Sequence, residues 1–324
     1  MPVVRVIREE MTAAIAVDLG GTNLRAALVD SDATILVHTA TSTPATGPSG
    51  RVITAAIIAR IEALLETAEG REVAAIGVAS AGPLDLGRGW VTNSPNIAFP
   101  VVEITGPLRE RFGLPVALIN DARAGILGEC WAGAARGSED AVYVTLSTGI
   151  GGGVVANGHL LLGMNGNAGE IGHILVDTRY NLTCGCGYRG HWEGYASAKY
   201  VPRFFAAWRE EVDVRRVAFD ATSTRAIFEA ARAEDPVALA FMDALGQVNA
   251  RGISTIIVAY NPEVIVLDGP LARYYGEIVI GHAEPYIDRF LTLPRIVVSD
   301  LAGRAPLLGA AAYALKMTGA GAGP

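Results

Sequence analysis

The stretch AIAVDLGGTNLRAALV, residues 14–29, joins two apolar segments through a glycine-rich turn. Apolar runs of this length, bounded by turn residues, predict two buried β-strands over Ala13–Leu19 and Leu24–Val29. Gly20 and Gly21 carry no side chain, so an anion can approach their backbone N–H groups closely. The stretch therefore favours a hairpin whose turn binds phosphate, and the alternative is an ordinary Gly-Gly hairpin.

Polar residues flank this turn. Asp18 ends the first strand, where its carboxylate can hold a hydrated Mg²⁺ through water. Thr22 and Asn23 follow the glycines, and the Thr22 hydroxyl can point at a phosphate. A second turn of the same kind, STGIGGG at residues 147–153, lies between two further predicted strands. Neither turn matches a Walker A loop or a dinucleotide fingerprint. Two phosphate-binding hairpins indicate a cleft that clamps a nucleotide.

The rest of the chain alternates predicted strands with helices, which is typical of α/β proteins. Because the pattern of strand, Gly-rich turn and strand occurs twice, we expect two related lobes. The smaller, N-terminal lobe would comprise residues 1–121 with about 305–324, and the larger lobe residues 122–304 with a cysteine-rich loop at 173–193. Apolar spacing predicts helices over residues 52–69, 102–112 and 307–317 and a mainly helical stretch over 193–260.

Composition excludes several classes of protein. The chain has 324 residues, of which 51% are hydrophobic and 18% are charged, so it is expected to fold rather than remain disordered. A net charge of −7 gives no electrostatic reason to bind nucleic acid. Three cysteines do not make a secreted disulfide framework. No run reaches ~18 apolar residues and the N-terminus lacks the apolar core of a signal peptide, so we expect a cytoplasmic protein without a membrane partner.

Asn120 and Asp121 follow the predicted strand Val116–Ile119 and precede a helix. At the carboxyl end of an interior strand, Asp121 faces the edge where open α/β sheets bind ligands. Its carboxylate could accept the proton of a substrate hydroxyl that attacks a phosphoryl group. The alternative is a residue that only caps the next helix.

The densest group of functional side chains lies between residues 169 and 193. The segments GEIGH, residues 169–173, and CGCGYRGHWE, residues 184–193, bring two thiols and two imidazoles close together in sequence. This spacing is plausible for a structural Zn²⁺, and free thiols are the alternative. A metal would order the loop and fix Glu170 and Glu193, whose carboxylates, with an imidazole, can accept hydrogen bonds from sugar hydroxyls.

Asp268-Gly269-Pro270 ends a further predicted strand just before a helix. Gly269 has no side chain to exclude a flat ring such as adenine. A tight turn without a ligand is an equally good interpretation of these residues.

Six motifs together resemble one family. They are DLGGTN at residues 18–23, NSPN at 93–96, NDARAG at 120–125, STGIGGG at 147–153, GEIGH at 169–173 and CGCGYRGHWE at 184–193. The chain is similar to the ROK family of sugar kinases and repressors from about residue 13 to residue 316. The resemblance implies the two-lobed actin-like ATPase fold, which is ribonuclease H-like and of the hexokinase type, with a ligand cleft between the lobes.

The resemblance also implies a role for each matching residue. Asp121 would be the base that deprotonates a sugar hydroxyl, typically the 6-hydroxyl. Gly269 would lie beside the adenosine, although Pro270 replaces the usual second glycine. The zinc set would use His191 where the family usually has a cysteine. The implied sugar contacts are Asn96, Asn120, Asp121, Glu170, His173 and Glu193, the implied nucleotide contacts are Asp18, Gly20, Gly21, Thr22, Asn23, Thr148, Gly149 and Gly269, and the implied zinc ligands are His173, Cys184, Cys186 and His191.

By this resemblance we expect an ATP-dependent, Mg²⁺-dependent hexokinase or glucokinase, with broad specificity as an option, acting as a monomer or homodimer. Kinases of N-acetylglucosamine, N-acetylmannosamine, fructose or allose remain open, because the motifs contact hydroxyls common to hexoses. Polyphosphate as the donor would require a basic track, and the acidic chain offers no obvious one. A sugar-sensing regulator without catalysis would need neither Asp121 nor two phosphate turns. Repressors of the family carry an added DNA-binding region before the first phosphate motif, and only seventeen residues precede Asp18 here.

Overall fold

A computed structural model describes residues 12–68 and 70–319 of the chain. Within this part of the chain, no helix has the length and apolar character needed to cross a membrane. Its strands and helices are β1 Thr12–Leu19, β2 Asn23–Asp30, β3 Ile35–Ser42, α1 Arg51–Leu65, β4 Glu72–Ser80, β5 Leu84–Asp85, β6 Trp90–Thr92, β7 Val101–Glu103, α2 Thr105–Phe112, β8 Val116–Asn120, α3 Asp121–Ala132, β9 Ala141–Leu146, β10 Ile150–Ala156, β11 His159–Leu160, α4 Glu193–Ala196, α5 Val201–Glu211, α6 Thr224–Arg232, α7 Pro236–Tyr260, β12 Val264–Asp268, α8 Gly269–Ala283, β13 Arg295–Val298 and α9 Ala305–Thr318.

The chain divides into two compact units. The first consists of the described parts of Met1–Ala132 and Arg304–Pro324, and the second of Gly133–Gly303. Each unit contains a five-stranded mixed sheet. The first unit also holds a small antiparallel sheet made of β5, β6 and β7.

The two large sheets share one strand order. In the first unit the order is β3-β2-β1-β4-β8, with the hairpin strands antiparallel and β1, β4 and β8 parallel. In the second unit the order is β11-β10-β9-β12-β13, with the same alternation of antiparallel and parallel pairs. The strand pattern that occurs twice in the sequence therefore builds two sheets of one topology. In each of them a Gly-rich turn joins the central strand to its antiparallel neighbour.

The core of the first unit explains why its central strand is almost continuously apolar. In β1 only Thr12 is partly exposed, as expected for a strand that is covered on both faces. Helix α1 contributes Ile53, Ile57, Ile61 and Leu64 to this core. Helix α9 packs against β1, β4 and α3 through small residues. A β-carbon on Gly77 would lie 1.9 Å from the carbonyl oxygen of Ala310, so a larger residue would push the helix off the sheet.

The second unit has an aromatic core. Phe204, Phe205 and Trp208 from α5 pack around Phe241 of α7 with ring centroids 4.9 to 5.5 Å apart. Helix α7 also supplies Asn249, which is buried and accepts a hydrogen bond from the indole of Trp192 at 2.9 Å. The helical segment after residue 193 therefore anchors the residues that immediately precede it.

The structure corrects one helix prediction and confirms most of the others. The helix predicted over residues 102–112 begins only at Thr105, because Val101 and Val102 belong to β7 and pair with β6. Adjacent β-branched residues favour a strand, and the helical spacing had obscured this preference. Helix α1 ends at Leu65, before its expected end, and Glu69 lies outside the described residues. Residues 1–11, on which the expected absence of a leader rests, also lie outside them.

Candidate active site

The first Gly-rich turn joins β1 to β2 and is held by a residue that sequence reasoning missed. Thr43, which follows β3, donates its hydroxyl to the carbonyl oxygen of Gly20 at 2.7 Å and its backbone N–H to that of Thr22 at 2.8 Å. The N–H of Gly20 donates to the carbonyl of Asn23 at 2.9 Å. With these groups paired inside the protein, Gly21, Thr22 and Asn23 remain exposed at the tip of the turn.

Asp18 stands at the end of β1 and forms an ion pair with Arg25 of β2. The two residues are directly opposite each other in the antiparallel pair, so their side chains lie on one face. Asp18 is buried, and burial raises the pKa of its carboxyl group, while the Arg25 guanidinium acts in the opposite direction. Arg25 therefore helps to keep the carboxylate ionised, which binding a hydrated cation requires.

Asn96 lies in the exposed loop between β6 and β7, against the first turn. A β-carbon on Gly21 would lie 2.1 Å from the carbonyl oxygen of Asn96 and 3.1 Å from its β-carbon. The turn predicted to bind phosphate is therefore in direct contact with Asn96, which is predicted to bind the sugar.

Asn120 ends β8 and Asp121 begins α3, so both stand at the carboxyl end of a strand as predicted. The strand is not interior as expected, because β8 pairs only with β4 and lies at the edge of its described sheet. The side-chain oxygen of Asn120 accepts the backbone N–H groups of Ala122 and Arg123 at 3.1 and 3.2 Å. The capping role considered for Asp121 thus belongs mainly to Asn120. The Asn120 amide also donates to Oδ1 of Asp121 at 2.9 Å, and this bond orients the carboxylate.

The second Gly-rich turn, residues 147–150, joins β9 to β10 and is shorter than predicted, because Gly151, Gly152 and Gly153 lie within β10. Its backbone is closed by a hydrogen bond from the Ser147 N–H to the Gly149 carbonyl at 2.9 Å. Thr148 is exposed at the tip. The N–H of Ile150 donates to Oε2 of Glu193 at 3.1 Å. The carboxylate predicted to bind the sugar therefore contacts the turn predicted to bind phosphate.

The cysteine-rich loop brings His173, Cys184, Cys186 and His191 into one cluster, and their ligand atoms all lie within 4.8 Å of one another. Nδ1 of His173 is 3.8 Å from Sγ of Cys184, and Nδ1 of His191 is 3.2 Å from Sγ of Cys186. Tetrahedral zinc with sulfur at about 2.3 Å and nitrogen at about 2.0–2.1 Å separates neighbouring ligand atoms by roughly 3.4–3.8 Å. The two-sulfur, two-nitrogen set fits a structural zinc ion.

The protonation of this cluster also bears on metal binding. Burial raises the pKa of the Cys184 thiol to about 12, and the Glu193 carboxylate adds to the effect. Burial and the neighbouring His173 lower the pKa of His191, which favours the neutral imidazole that a metal requires. A cation at the cluster would therefore have to displace the Cys184 proton.

Two buried groups support this loop and were missing from the sequence analysis. The Tyr195 hydroxyl donates to Oδ2 of Asp177 at 2.8 Å and accepts the Leu182 N–H at 2.8 Å. Oδ2 of Asp177 also accepts the N–H of Tyr180 at 2.8 Å. Tyr195 is fully buried, so these bonds fix the backbone that leads into Cys184. The only available sequence signal was a polar aromatic residue placed two positions after Glu193.

Gly269 begins α8 with φ of 88°, a backbone conformation that favours glycine. A β-carbon there would also lie 2.4 Å from the carbonyl oxygen of Leu146, the residue before the second Gly-rich turn. The preceding Asp268 is buried between Arg273, at 2.7 Å, and the Tyr143 hydroxyl, at 2.9 Å. The chain thus passes directly from β12 into α8 at Gly269, beside the second Gly-rich turn.

The predicted site residues therefore form two groups, one in each unit. The group of the first unit is Asp18, Gly20, Gly21, Thr22, Asn23, Asn96, Asn120 and Asp121, and that of the second is Thr148, Gly149, Glu170, His173, Cys184, Cys186, His191, Glu193 and Gly269.

These features define an α/β protein of the actin-like ATPase class, as expected. The ROK family model matches residues 14–317, and the chain belongs to the ROK family. It is 36% identical over 319 residues to a glucokinase of Thermotoga maritima, covering 94% of this chain and 98% of that protein.

Two solved structures are also similar. The ROK hexokinase from Thermus thermophilus has a TM-score of 0.80 and 32% identity, over 95% of this chain and 99% of that one. A ROK family glucokinase from Streptomyces griseus, in complex with glucose and AMPPNP, has a TM-score of 0.73 and 33% identity, over 94% of this chain and 99% of that one.

Proposed function

We propose that this protein is an ATP-dependent hexose kinase of the glucokinase type that phosphorylates the 6-hydroxyl. The observation that carries the proposal is Asp121, a carboxylate at the carboxyl end of β8 that Asn120 orients. The similarity of this chain to glucokinases over nearly its whole length also supports the proposal. These relatives favour a hexose over the amino sugars that the motifs left open.

In the proposed reaction, Asp121 accepts the proton of the sugar hydroxyl as the oxygen attacks the γ-phosphorus of ATP. The bond from that phosphorus to the oxygen bridging to the β-phosphate breaks, and ADP leaves with the electron pair. Asp121 later releases its proton to solvent. Asn96, Asn120, Glu170, His173 and Glu193 would hold the sugar through its hydroxyls.

The proposed nucleotide contacts lie at the two Gly-rich turns, at Asp18 and at Gly269. Gly21, Thr22 and Asn23 and the turn with Thr148 and Gly149 would donate to phosphate oxygens, and Gly269 would lie beside the adenosine. Gly20, whose N–H is bonded to the carbonyl of Asn23, would shape the first turn. Asp18, whose charged form Arg25 favours, would bind the hydration shell of Mg²⁺, whose charge offsets that of the phosphates.

The cluster of His173, Cys184, Cys186 and His191 would hold zinc. Zinc there would be structural, and its contribution is to tie the ends of a glycine-rich loop together. With Nδ1 of His173 turned toward Cys184, the other ring nitrogen is left for a sugar hydroxyl. Cys184→Ser should lower the bound zinc below about one ion per chain and weaken sugar binding. A fully active wild-type protein free of zinc would refute the metal site.

A coupled assay tests the function. Purified protein with Mg²⁺ would be offered glucose, mannose, fructose, N-acetylglucosamine and N-acetylmannosamine, each with ATP and with polyphosphate. We expect turnover of glucose with ATP and a smaller kcat/KM for both amino sugars. Sugar binding without phosphorylation of any hexose would contradict the proposal and favour a sensor. The expected cytoplasmic location and the monomeric or dimeric state belong to the same proposal and need separate measurement.

A further inference from the structure

The carboxylate of Glu193 has contacts on two sides. Oε2 accepts the backbone N–H of Ile150 at 3.1 Å, and Oε1 lies 3.4 Å from Sγ of Cys184. One side chain thus connects the second Gly-rich turn, residues 147–150, to the cysteine-rich loop. Just beyond Glu193, the N–H of Ala198 donates to the carbonyl of Ser147 at 2.8 Å. The segment that carries the carboxylate is therefore attached to this turn at two points.

Gly149 is a glycine because of this carboxylate. Its φ lies outside the left-handed region, so the backbone conformation does not require glycine. A β-carbon on Gly149 would nevertheless lie 2.4 Å from Oε2 of Glu193 and 3.3 Å from its carboxyl carbon. The absence of a side chain at this position leaves room for the bond between Glu193 and Ile150.

The GEIGH segment, residues 169–173, packs against the same part of the chain. A β-carbon on Gly172 would lie 2.1 Å from the carbonyl oxygen of Ile150. A β-carbon on Gly152, two residues further along β10, would lie 2.7 Å from the carbonyl oxygen of Gly169. Both segments of this unit that are proposed to bind the sugar therefore contact β10 or the turn before it. That turn carries the residues proposed to bind phosphate.

We propose that the second Gly-rich turn and Glu193 act as one element. Gly149 and Ile150 position the Glu193 carboxylate, which binds the sugar. Through this element, sugar and nucleotide strengthen each other's binding. The inference rests on the proposed function, in which Thr148 and Gly149 hold phosphate and Glu193 holds a sugar hydroxyl.

The physical basis is a shared hydrogen bond. A carboxylate has about four acceptor sites, so Ile150 leaves capacity for sugar hydroxyls. Phosphate bound at the turn fixes the turn's backbone and with it the direction of the Ile150 N–H. The sugar then meets a carboxylate that is already ordered, and less conformational entropy is lost when it binds. Thermodynamic linkage requires bound sugar to lower the Kd of the nucleotide by the same factor.

Isothermal titration calorimetry tests this coupling. The Kd of glucose is measured without and with a saturating non-hydrolysable ATP analogue, and the Kd of the analogue without and with saturating glucose. We expect each ligand to lower the Kd of the other by about fivefold or more, by equal factors. Binding of neither ligand would refute the proposed function itself. Binding of both with no coupling would overturn this inference and leave the function standing.

Two variants locate the coupling in the turn. In Gly149→Ala the added methyl group meets the end of a flexible side chain rather than backbone, so the fold should persist while the carboxylate moves away from Ile150. We expect weaker glucose binding and a coupling factor at least about threefold smaller than in wild type. The matched control, Thr148→Val, should weaken binding of the nucleotide. When the analogue is saturating, its effect on the Kd of glucose should equal that in wild type. A wild-type factor in Gly149→Ala, or an equal loss in both variants, would overturn the inference.

Discussion

The carbonyl oxygen of Asn96 lies 2.1 Å from the point that a β-carbon on Gly21 would occupy. The two residues are 75 positions apart, yet the tip of the first Gly-rich turn packs directly against the loop that carries the proposed sugar contact. Unlike the contact between Gly149 and Glu193, this one involves backbone on the Asn96 side. A residue other than glycine at position 21 must therefore displace the loop itself.

Gly21→Ala should raise KM for both substrates, because the turn and the Asn96 loop cannot both keep their positions. Overpacking of this kind typically costs about 1–3 kcal/mol of unfolding free energy. Steady-state kinetics and denaturant unfolding measure the two effects. Gly106→Ala, at a position of the same unit where a β-carbon meets no atom within 4 Å, is the control and should behave as wild type. A change in KM for ATP alone would show that the contact with Asn96 does not affect sugar binding.

The sequence allowed the turns to be found but not the reason for each glycine. Gly20 and Gly21 were interpreted as open space for a phosphate, and this interpretation is local. The contact of Gly21 with Asn96 depends on how the loop after β6 folds back, which no spacing along the chain reveals. The pair of Asp18 and Arg25 depends in the same way on the register of the hairpin, which is centred between Gly21 and Thr22. A hairpin centred on the two glycines would have placed Asn23 opposite Asp18.

Replacing Arg25 by methionine should make the use of MgATP more sensitive to acid. Burial already raises the pKa of Asp18, and loss of the guanidinium raises it further. The ionised carboxylate is present above that pKa and is lost as pH falls through it. The acid limb of the kcat/KM profile for MgATP should therefore move to higher pH, with activity recovering at alkaline pH.

Arg111→Met is the matched control for Arg25, because it removes a more exposed ion pair to Glu62 in the same unit. Its pH profile should overlay that of wild type. If Arg25→Met lowered activity by the same factor at every pH, its role would be steric rather than electrostatic.

Asp121→Asn tests the proposed base. The amide keeps an oxygen that can accept the hydrogen bonds seen at Oδ1, so the start of α3 should be preserved. An amide cannot take up the proton, and kcat should fall by about 10²- to 10⁴-fold. Glucose binding, measured by calorimetry, should stay within a few-fold of wild type. Turnover within tenfold of wild type would remove Asp121 from this role.

The cysteine-rich loop shows the other limit of sequence reasoning. Its four candidate ligands could be listed from residue types, and the structure places their ligand atoms together. The groups that hold the loop in shape, Asp177 and Tyr195, belong to no motif. Their role follows only from the tertiary structure, in which Leu182, Tyr180 and the start of α4 lie together around the buried carboxylate of Asp177.

Tyr195→Phe should loosen the loop that carries Cys184 without removing any proposed ligand. The change leaves the Leu182 N–H without its partner and Asp177 without one donor, which costs about 1–3 kcal/mol. We expect zinc affinity, measured by competition with a chromophoric chelator, to fall by about tenfold. Amides of residues 180–190 should exchange faster with deuterium in the metal-free protein. KM for glucose should rise while KM for ATP stays near wild type.

The control for Tyr195→Phe is Tyr180→Phe in the same loop. The rings of both tyrosines meet Phe204 edge-on, at 5.1 and 5.2 Å, and the Tyr180 hydroxyl has no hydrogen-bond partner among the described residues. Loss of one hydroxyl at residue 180 should therefore leave zinc affinity and amide exchange unchanged. Equal effects of the two substitutions would mean that the loop does not depend specifically on the bond from Tyr195 to Asp177. Unchanged zinc affinity in Tyr195→Phe would show that the ligands are positioned without this hydroxyl.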